Sequence, residues 1–112
     1  MNWIELTEIA TLEKIKKDSE FKTMIVFKHS TRCSISRMAL KNFEADLKHI
    51  DNSNFDFYFL DLLQHRDVSN AIAQEFNVMH QSPQLLLIKK GKCELSQTHE
   101  NIDALILNNH GN

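Results

Sequence analysis

One cysteine lies where a buried strand is predicted to end and a helix to begin. Cys33 follows the apolar run Met24-Ile25-Val26-Phe27 after a short polar loop, and apolar side chains recur at helical spacing behind it. The first N–H groups of a helix have no intrahelical partner and the helix dipole is positive there, so both favour a thiolate over a thiol. Cys33 is therefore the candidate nucleophile. The alternative is a small buried apolar side chain, which is the role of many free cysteines.

The residues around Cys33 limit what this thiol can do. Ser36 stands where a C-x-x-C protein carries its second cysteine, and a hydroxyl cannot resolve a mixed disulfide by thiolate attack. Cys33 would thus attack a mixed disulfide, keep the small thiol and release the protein, and a second small-thiol molecule would regenerate it. His29 and Arg32 are candidates for positive charge beside the thiolate. Ser36 also suits a simpler role, as a first-turn polar residue that satisfies backbone donors.

Predicted strands and helices alternate along the chain, and these elements must position the cysteine loop. Alternation favours parallel β-α-β pairing, and a closing hairpin at Lys90-Gly91-Lys92 adds an antiparallel strand. The predicted fold class is α/β and thioredoxin-like, a central mixed β-sheet flanked by helices, with residues 1–112 in a single domain. The predicted strands are a short edge strand at 3–4, buried strands at 24–27, 55–61 and 84–88, and a short strand at 93–95.

Four helices are predicted from apolar residues at helical spacing. Thr7 is expected to cap the first, because its hydroxyl can accept a free backbone N–H of the first turn. The apolar stripes consist of Ile9, Leu12 and Ile15 in the first helix, Ile35, Met38, Ala39, Phe43 and Leu47 in the second, Val68, Ile72, Ala73 and Phe76 in the third, and Ile102, Leu105 and Ile106 in the last.

The only proline of the chain stands immediately before a predicted strand. Pro83 cannot donate to a sheet ladder, and it forces Ser82 into an extended conformation. Alone it reads as an ordinary strand-entry proline. Together with the upstream cysteine loop it fits the cis-proline that faces the active cysteine in thioredoxin folds, where the backbone of Ser82 would pair with an extended substrate peptide.

Composition argues against several classes of function. With 42% hydrophobic and 25% charged residues and a net charge of −2, the chain gives no electrostatic reason to expect nucleic acid or a membrane surface as partner. The start, Met1 to Leu6, does not resemble a signal peptide, so a cytoplasmic protein is expected. The six histidines show no metal-ligand spacing, so neither a metal nor a bound cofactor is predicted. Cys93 reads as a half-buried strand residue rather than a resolving thiol.

Two segments resemble one family. The run Lys28-His29-Ser30-Thr31-Arg32-Cys33-Ser34-Ile35-Ser36 is similar to the active-site run K-H-S-T-x-C-P-I-S of the YtxJ-type monothiol bacilliredoxins. His80-Gln81-Ser82-Pro83-Gln84 resembles that family's cis-proline segment, and the likeness extends from Trp3 to about His99. The resemblance implies a thioredoxin fold, cytoplasmic residence and removal of bacillithiol, the small-thiol co-substrate, from S-bacillithiolated client proteins by a monomer or weak dimer.

The same resemblance implies roles for single residues. Cys33 is the nucleophile, and Ser82 and Pro83 contact the substrate. One position departs from the family, because its proline after the cysteine is Ser34 here, which adds a backbone N–H near the thiol. The predicted surroundings of the thiol are His29, Thr31, Arg32, Ser34 and Ser36.

Three other functions stay open. Arg32-Cys33-Ser34-Ile35-Ser36-Arg37-Met38-Ala39-Leu40 is similar to the R-C-S-x-S-R-x-x-L run of glutaredoxin-type arsenate reductases, which clamp the oxyanion with additional arginines. Arg66, the remaining arginine, follows a different strand, so no clamp is expected. A redox-inactive thioredoxin-like module that grips an extended peptide at Pro83 is the alternative from another class. An iron–sulfur carrier is disfavoured because glycines that admit a cluster are absent.

Overall fold

Five strands form one mixed sheet in the computed structural model, which describes residues 2–110. The strands are β1 (Ile4–Glu5), β2 (Thr23–His29), β3 (Phe55–Asp61), β4 (Gln84–Lys89) and β5 (Lys92–Thr98). Their order across the sheet is β1-β3-β2-β4-β5. The β1–β3 and β3–β2 pairs are parallel, whereas β2–β4 and β4–β5 are antiparallel. The predicted α/β class and mixed sheet are confirmed. Met1, Gly111 and Asn112, the ends of the predicted domain, lie outside the described residues.

Three α-helices follow the predicted order: α1 (Thr11–Asp18), α2 (Ser34–Leu47) and α3 (Arg66–Glu75). The predicted cap at Thr7 is wrong, because α1 begins later, with Ala10 at the N-cap and no side-chain cap bond. A tight turn precedes it, in which the N–H groups of Thr11 and Leu12 donate three residues back. This turn leaves Ile9 48% exposed and off the buried face that Leu12 shares with Ile15.

The last segment is not the predicted α-helix. It forms two short 3₁₀ segments, His99–Asn101 and Ala104–Asn109. Ala104 and Leu107, three residues apart, are both buried, which suits the three-residue period of a 3₁₀-helix. Leu105, which was expected on the buried face, is 58% exposed. Asp103 caps the second segment by accepting the Leu105 N–H at 3.0 Å.

The central strand β2 is buried on both faces and separates two apolar cores. Because successive side chains of a strand point to opposite faces, Met24 and Val26 join one core with α1 and α3, whereas Ile25 and Phe27 join the other with α2. At the end of the strand, Lys28 points to the face of Met24 and Val26, and His29 points to the opposite face. The last residue of this rigid strand therefore fixes where the cysteine loop begins.

The exposed start of α2 differs from the predicted stripe. Ala39, Phe43 and Leu47 are buried as expected, but Ile35 is 42% and Met38 57% exposed. The buried face of α2 runs through Ser36, Ala39, Phe43 and Leu47, and these two side chains lie beside that face. They line a groove against the His99–Asn101 segment instead of the core.

Candidate active site

Cys33 is the N-cap residue of α2, with extended backbone angles (φ −103°, ψ 121°) and a half-buried side chain. Its carbonyl accepts the Arg37 N–H at 3.0 Å, and its own N–H donates to the Ser30 carbonyl at 3.2 Å. No side-chain cap bond occupies the first turn of α2, so its N–H groups face the thiol end of the helix. Cys33 thus lies where the helix dipole favours negative charge, as the sequence predicted.

Ser36 faces the interior and ties the start of α2 to the end of β2. Its side chain is fully buried. Its Oγ accepts the Ser30 N–H at 3.0 Å and shares a 2.7 Å hydrogen bond with His29 Nδ1. The hydroxyl therefore fixes the loop that carries Cys33, which is the structural role weighed for it in the sequence.

Replacing Ser36 by alanine is expected to lower the free energy of unfolding by about 2 kcal/mol, because two buried polar groups lose their partner. The matched control is Ser34→Ala, at an exposed serine two residues before Ser36. This substitution is expected to change the free energy of unfolding by less than about 0.5 kcal/mol. Urea unfolding at neutral pH measures both. Equal effects of the two substitutions would contradict the bonding role assigned to Ser36.

His29 is not a source of positive charge beside Cys33. It is 5% exposed, and burial lowers its pKa, with nearby Arg37 adding to the effect and Asp61 opposing it. The imidazole is thus neutral at neutral pH, and the expectation of a histidine cation is wrong. Arg32 is exposed, whereas the Arg37 guanidinium donates to the Thr31 carbonyl at 3.0 Å and holds the loop.

Pro83 lies at the same end of the sheet as Cys33. The Ser82–Pro83 peptide bond is cis. Gln84 pairs with Lys28 in the antiparallel β2–β4 ladder. Pro83 therefore lies near His29, the last residue of β2 before the cysteine loop. Within the described residues, Ser82 forms no backbone hydrogen bond, and Ser82 Oγ and Gln84 Oε1 are buried without a partner. Substrate contact by Ser82 and Pro83 stays a prediction.

Cys93 lies at the opposite end of the sheet. It pairs with Ile88, which pairs with Met24 at the start of β2, whereas Cys33 follows the end of β2 at His29. Five residue steps along the strand, from 24 to 29, separate these levels by about 16 Å. A disulfide needs Cα atoms within about 7 Å, so Cys93 cannot resolve a disulfide at Cys33 in this fold. Burial also raises the pKa of the Cys93 thiol, which donates to the Leu95 carbonyl.

Replacing Cys93 by serine is therefore expected to leave the rate of thiol exchange within about twofold of the wild-type rate, because the thiol at 93 is remote and held protonated. The measurement is release of a small thiol from a thiolated protein at pH 7. An intramolecular disulfide between residues 33 and 93, detected by tandem mass spectrometry, would overturn this assignment.

Arg66 lies closer to Arg32 than the sequence indicated. Both line one open cleft, because β2 and β3 are parallel neighbours and the loops after them meet at one edge of the sheet. The Leu62 N–H donates to the His29 carbonyl at 3.1 Å and joins the two loops. Arg66 follows a different strand, β3, as the sequence indicated, and it shares this cleft with Arg32 because β3 is adjacent to β2.

Lys28, the first residue of the run that ends at Ser36, is a buried lysine. Its side chain is fully buried, and burial lowers its pKa to about 8. Its Nζ lies 3.3 Å from the Ser69 carbonyl and 3.3 Å from His80 Nδ1, in the segment before Pro83. Within residues 2–110 it forms no ion pair with a carboxylate. The charged end of the side chain therefore rests on neutral partners alone.

Comparison with known proteins decides the family. The family model described as monothiol bacilliredoxin BrxC matches residues 4–107. The chain belongs to the monothiol bacilliredoxin family. The resemblance predicted from the cysteine loop and the proline segment is thereby confirmed, and thiol–disulfide exchange is the general chemistry of this bacilliredoxin.

Solved structures confirm the fold. A protein described as an oxidoreductase with a thioredoxin fold is 31% identical, with a TM-score of 0.80, and the match covers 97% of this chain and 93% of that one. Thioredoxin from Fasciola hepatica is 21% identical, with a TM-score of 0.69 and coverage of 95% and 93%. Thioredoxin from Trypanosoma brucei brucei is 14% identical, with a TM-score of 0.73 and coverage of 97% and 88%. The bacilliredoxin therefore has the predicted thioredoxin fold.

Two further properties of this bacilliredoxin concern membranes and metals. Among residues 2–110, no helix has the length and apolarity needed to cross a bilayer. In the same range, no three His, Cys, Asp or Glu side chains are grouped so that they could hold a metal ion.

Proposed function

We propose that this protein is a cytoplasmic monothiol bacilliredoxin that removes bacillithiol from mixed disulfides on client proteins through Cys33. The observation that carries the proposal is one half-buried thiol at the N-cap of α2, with a hydroxyl, Ser36, buried in the position of a resolving thiol. The only other cysteine lies at the far end of the sheet. Membership of the monothiol bacilliredoxin family supports the same chemistry.

The exchange conserves electrons and needs no bound cofactor. The Cys33 thiolate attacks the small-thiol sulfur of the mixed disulfide, and a new S–S bond forms as the old one breaks. The client leaves as a thiolate and takes up a proton from solvent. A second small-thiol molecule then attacks the adduct on Cys33, which yields the small-molecule disulfide and returns Cys33 to the thiolate. Cys33 lies at the N-terminus of α2, where the helix dipole is positive.

The client protein is proposed to bind beside Pro83. Ser82 lies at the active end of the sheet, and its backbone groups are unpaired within the described residues. An extended client segment can therefore add its own N–H and C=O groups there, as in β-augmentation.

Matched thiolated clients test the choice of small thiol. One protein with a single cysteine is loaded with bacillithiol or with glutathione, and the release of each thiol is followed at pH 7. We expect release of bacillithiol to be at least about tenfold faster, which corresponds to about 1.4 kcal/mol of discrimination. Equal rates would contradict bacillithiol as the specific co-substrate, and no release of either would contradict the exchange function.

A further inference from the structure

The cleft beside the cysteine loop is cationic. One wall is the segment before Cys33 and the other is the loop between β3 and α3. The residues that line it are Thr31, Arg32, Asp61, Leu63, Gln64 and Arg66. Its two arginines are exposed, and within residues 2–110 neither forms an ion pair with a carboxylate. The single carboxylate, Asp61, already accepts the Leu63 N–H at 3.1 Å.

Two helices begin at this cleft, which adds to its positive potential. Arg32 directly precedes Cys33, the N-cap residue of α2, and Arg66 is the first residue of α3. Both N-termini lack a side-chain cap bond. The N-terminus of a helix carries partial positive charge and free N–H groups. Asp67 offsets this charge in the first turn of α3, whereas the first turn of α2 has no acidic residue, so the start of α2 and the two guanidinium groups favour an anion. The parallel pairing of β2 and β3 places both helix starts at one edge.

The opposite side of the start of α2 has a different character. The groove there is formed by Ile35, Met38 and Ala39 against the His99–Asn101 segment and Ile102. Along the chain, Cys33 stands between Arg32, which lines the cationic cleft, and Ile35, which lines the apolar groove. A mixed disulfide has two halves, a small thiol and a protein. Because one surface is cationic and the other apolar, the two surfaces suit halves of different chemistry.

We propose that the cleft between Arg32 and Arg66 binds the anionic groups of a low-molecular-weight thiol while its sulfur is joined to Cys33. This proposal rests on the proposed exchange function and adds the charge class of the co-substrate. Guanidinium groups pair with carboxylates through two parallel N–H···O bonds, so two arginines orient a thiol that carries such groups. The same positive field raises the rate of encounter with anionic disulfides.

The test compares two small disulfides of different charge. The probes are dithiobis(nitrobenzoate), which is dianionic, and dithiodipyridine, which is neutral. Each transfers half of its disulfide to Cys33 and releases the other half as a coloured thiol, so one stoichiometric step is followed. A Cys93→Ser background ensures that Cys33 is the thiol observed. The variant combines Arg32→Gln with Arg66→Gln. The control combines Lys41→Gln with Lys48→Gln, which makes the same change in net charge at an exposed residue of α2 and at its exposed C-cap.

We expect the arginine variant to react about tenfold more slowly with the dianionic disulfide and within twofold of the parent with the neutral one. The lysine control should stay within twofold for both, and added salt should reduce the difference because exposed charges are screened. Equal slowing with both disulfides, or an equal effect of the lysine control, would overturn the proposal. Production of arsenite from arsenate by the parent, lost in the arginine variant, would also overturn it, because the arginines would then serve an inorganic oxyanion.

The two proposals fail separately in this design. Charge selectivity is read from the first reaction of Cys33 with a small disulfide, which needs no client protein. If a bacillithiolated client is turned over but charge selectivity is absent, the cleft proposal alone fails. If charge selectivity is present but no client is turned over, the cleft proposal stands and the exchange function fails.

Discussion

Replacing Cys33 by serine is expected to reduce the release of a small thiol from a thiolated client to the rate measured without protein. A hydroxyl is not ionised at neutral pH, so no nucleophile remains at the start of α2. Fold and stability should be retained, because the side chain is half-buried and, within residues 2–110, does not cap the helix by a hydrogen bond. Circular dichroism and urea unfolding of the variant check this.

The control for this experiment is Cys93→Ser, which removes the other thiol and is expected to react as the wild type does. If Cys33→Ser retained a tenth or more of the wild-type rate, the enzymatic account would be wrong. A redox-inactive peptide-binding module would then be the better description, and its partners would bind the Cys33→Ser variant unchanged.

Replacing Lys28 by methionine is expected to raise the free energy of unfolding at pH 7 by up to about 3 kcal/mol. Burial lowers the pKa of Lys28 from 10.5 to about 8, so the folded protein holds the charged form at a cost that the unfolded chain does not bear. Methionine fills a similar volume without a charge, and such replacements of buried charges are often stabilising. The measurement is urea unfolding of both proteins over a range of pH.

The pH dependence gives the sign of this effect. Below pH 8 Lys28 is protonated in both states, and the full cost is present. Between pH 8 and 10.5 the unfolded chain binds more protons than the folded one, so the stability of the wild type rises relative to Lys28→Met. Taking the difference between the two proteins removes the contributions of Tyr58 and Cys93, whose pKa values burial raises.

The exposed Lys41→Met serves as the control and should change stability by less than about 0.5 kcal/mol at every pH. A loss of stability in Lys28→Met would contradict the account. It would mean that the contacts of Lys28 Nζ with the Ser69 carbonyl and His80 stabilise the fold by more than the burial of the charge costs.

Local patterns predicted the position of the nucleophile because that position depends on neighbouring segments of the chain. A continuous apolar run indicated β2, and helical spacing after Cys33 indicated α2, so the thiol between them had to lie at a helix start. The same reasoning placed Pro83 before β4. These features follow from periodicity and from the backbone limits of proline, which do not require knowledge of tertiary contacts.

Features that depend on several elements were not predicted. The burial of Lys28 results from α3 and the segment before Pro83 closing over one face of β2. The cleft shared by Arg32 and Arg66 results from β3 lying next to β2. Ile35 and Met38 are exposed because the buried face of α2 runs through Ser36 and Ala39 beside them. In each case the sequence supplied the residue type, and the packing of distant segments determined its surroundings.

The two surfaces near Cys33 differ in polarity. The cationic cleft includes the loop after β3, the apolar groove includes His99, and Cys33 stands in the chain between Arg32 of the cleft and Ile35 of the groove. The buried Ser36 hydroxyl and the Arg37 bond to the Thr31 carbonyl keep the loop in place between the two surfaces.

Intact mass spectrometry of the protein after a single turnover tests the central claim most directly. The reduced protein is mixed with an equimolar bacillithiolated client, the reaction is quenched with acid, and the masses of both proteins are measured. The account predicts that the client loses one bacillithiol, that this protein gains one, and that proteolysis places the adduct on Cys33. A client that keeps its adduct, or an adduct found on Cys93, would contradict it.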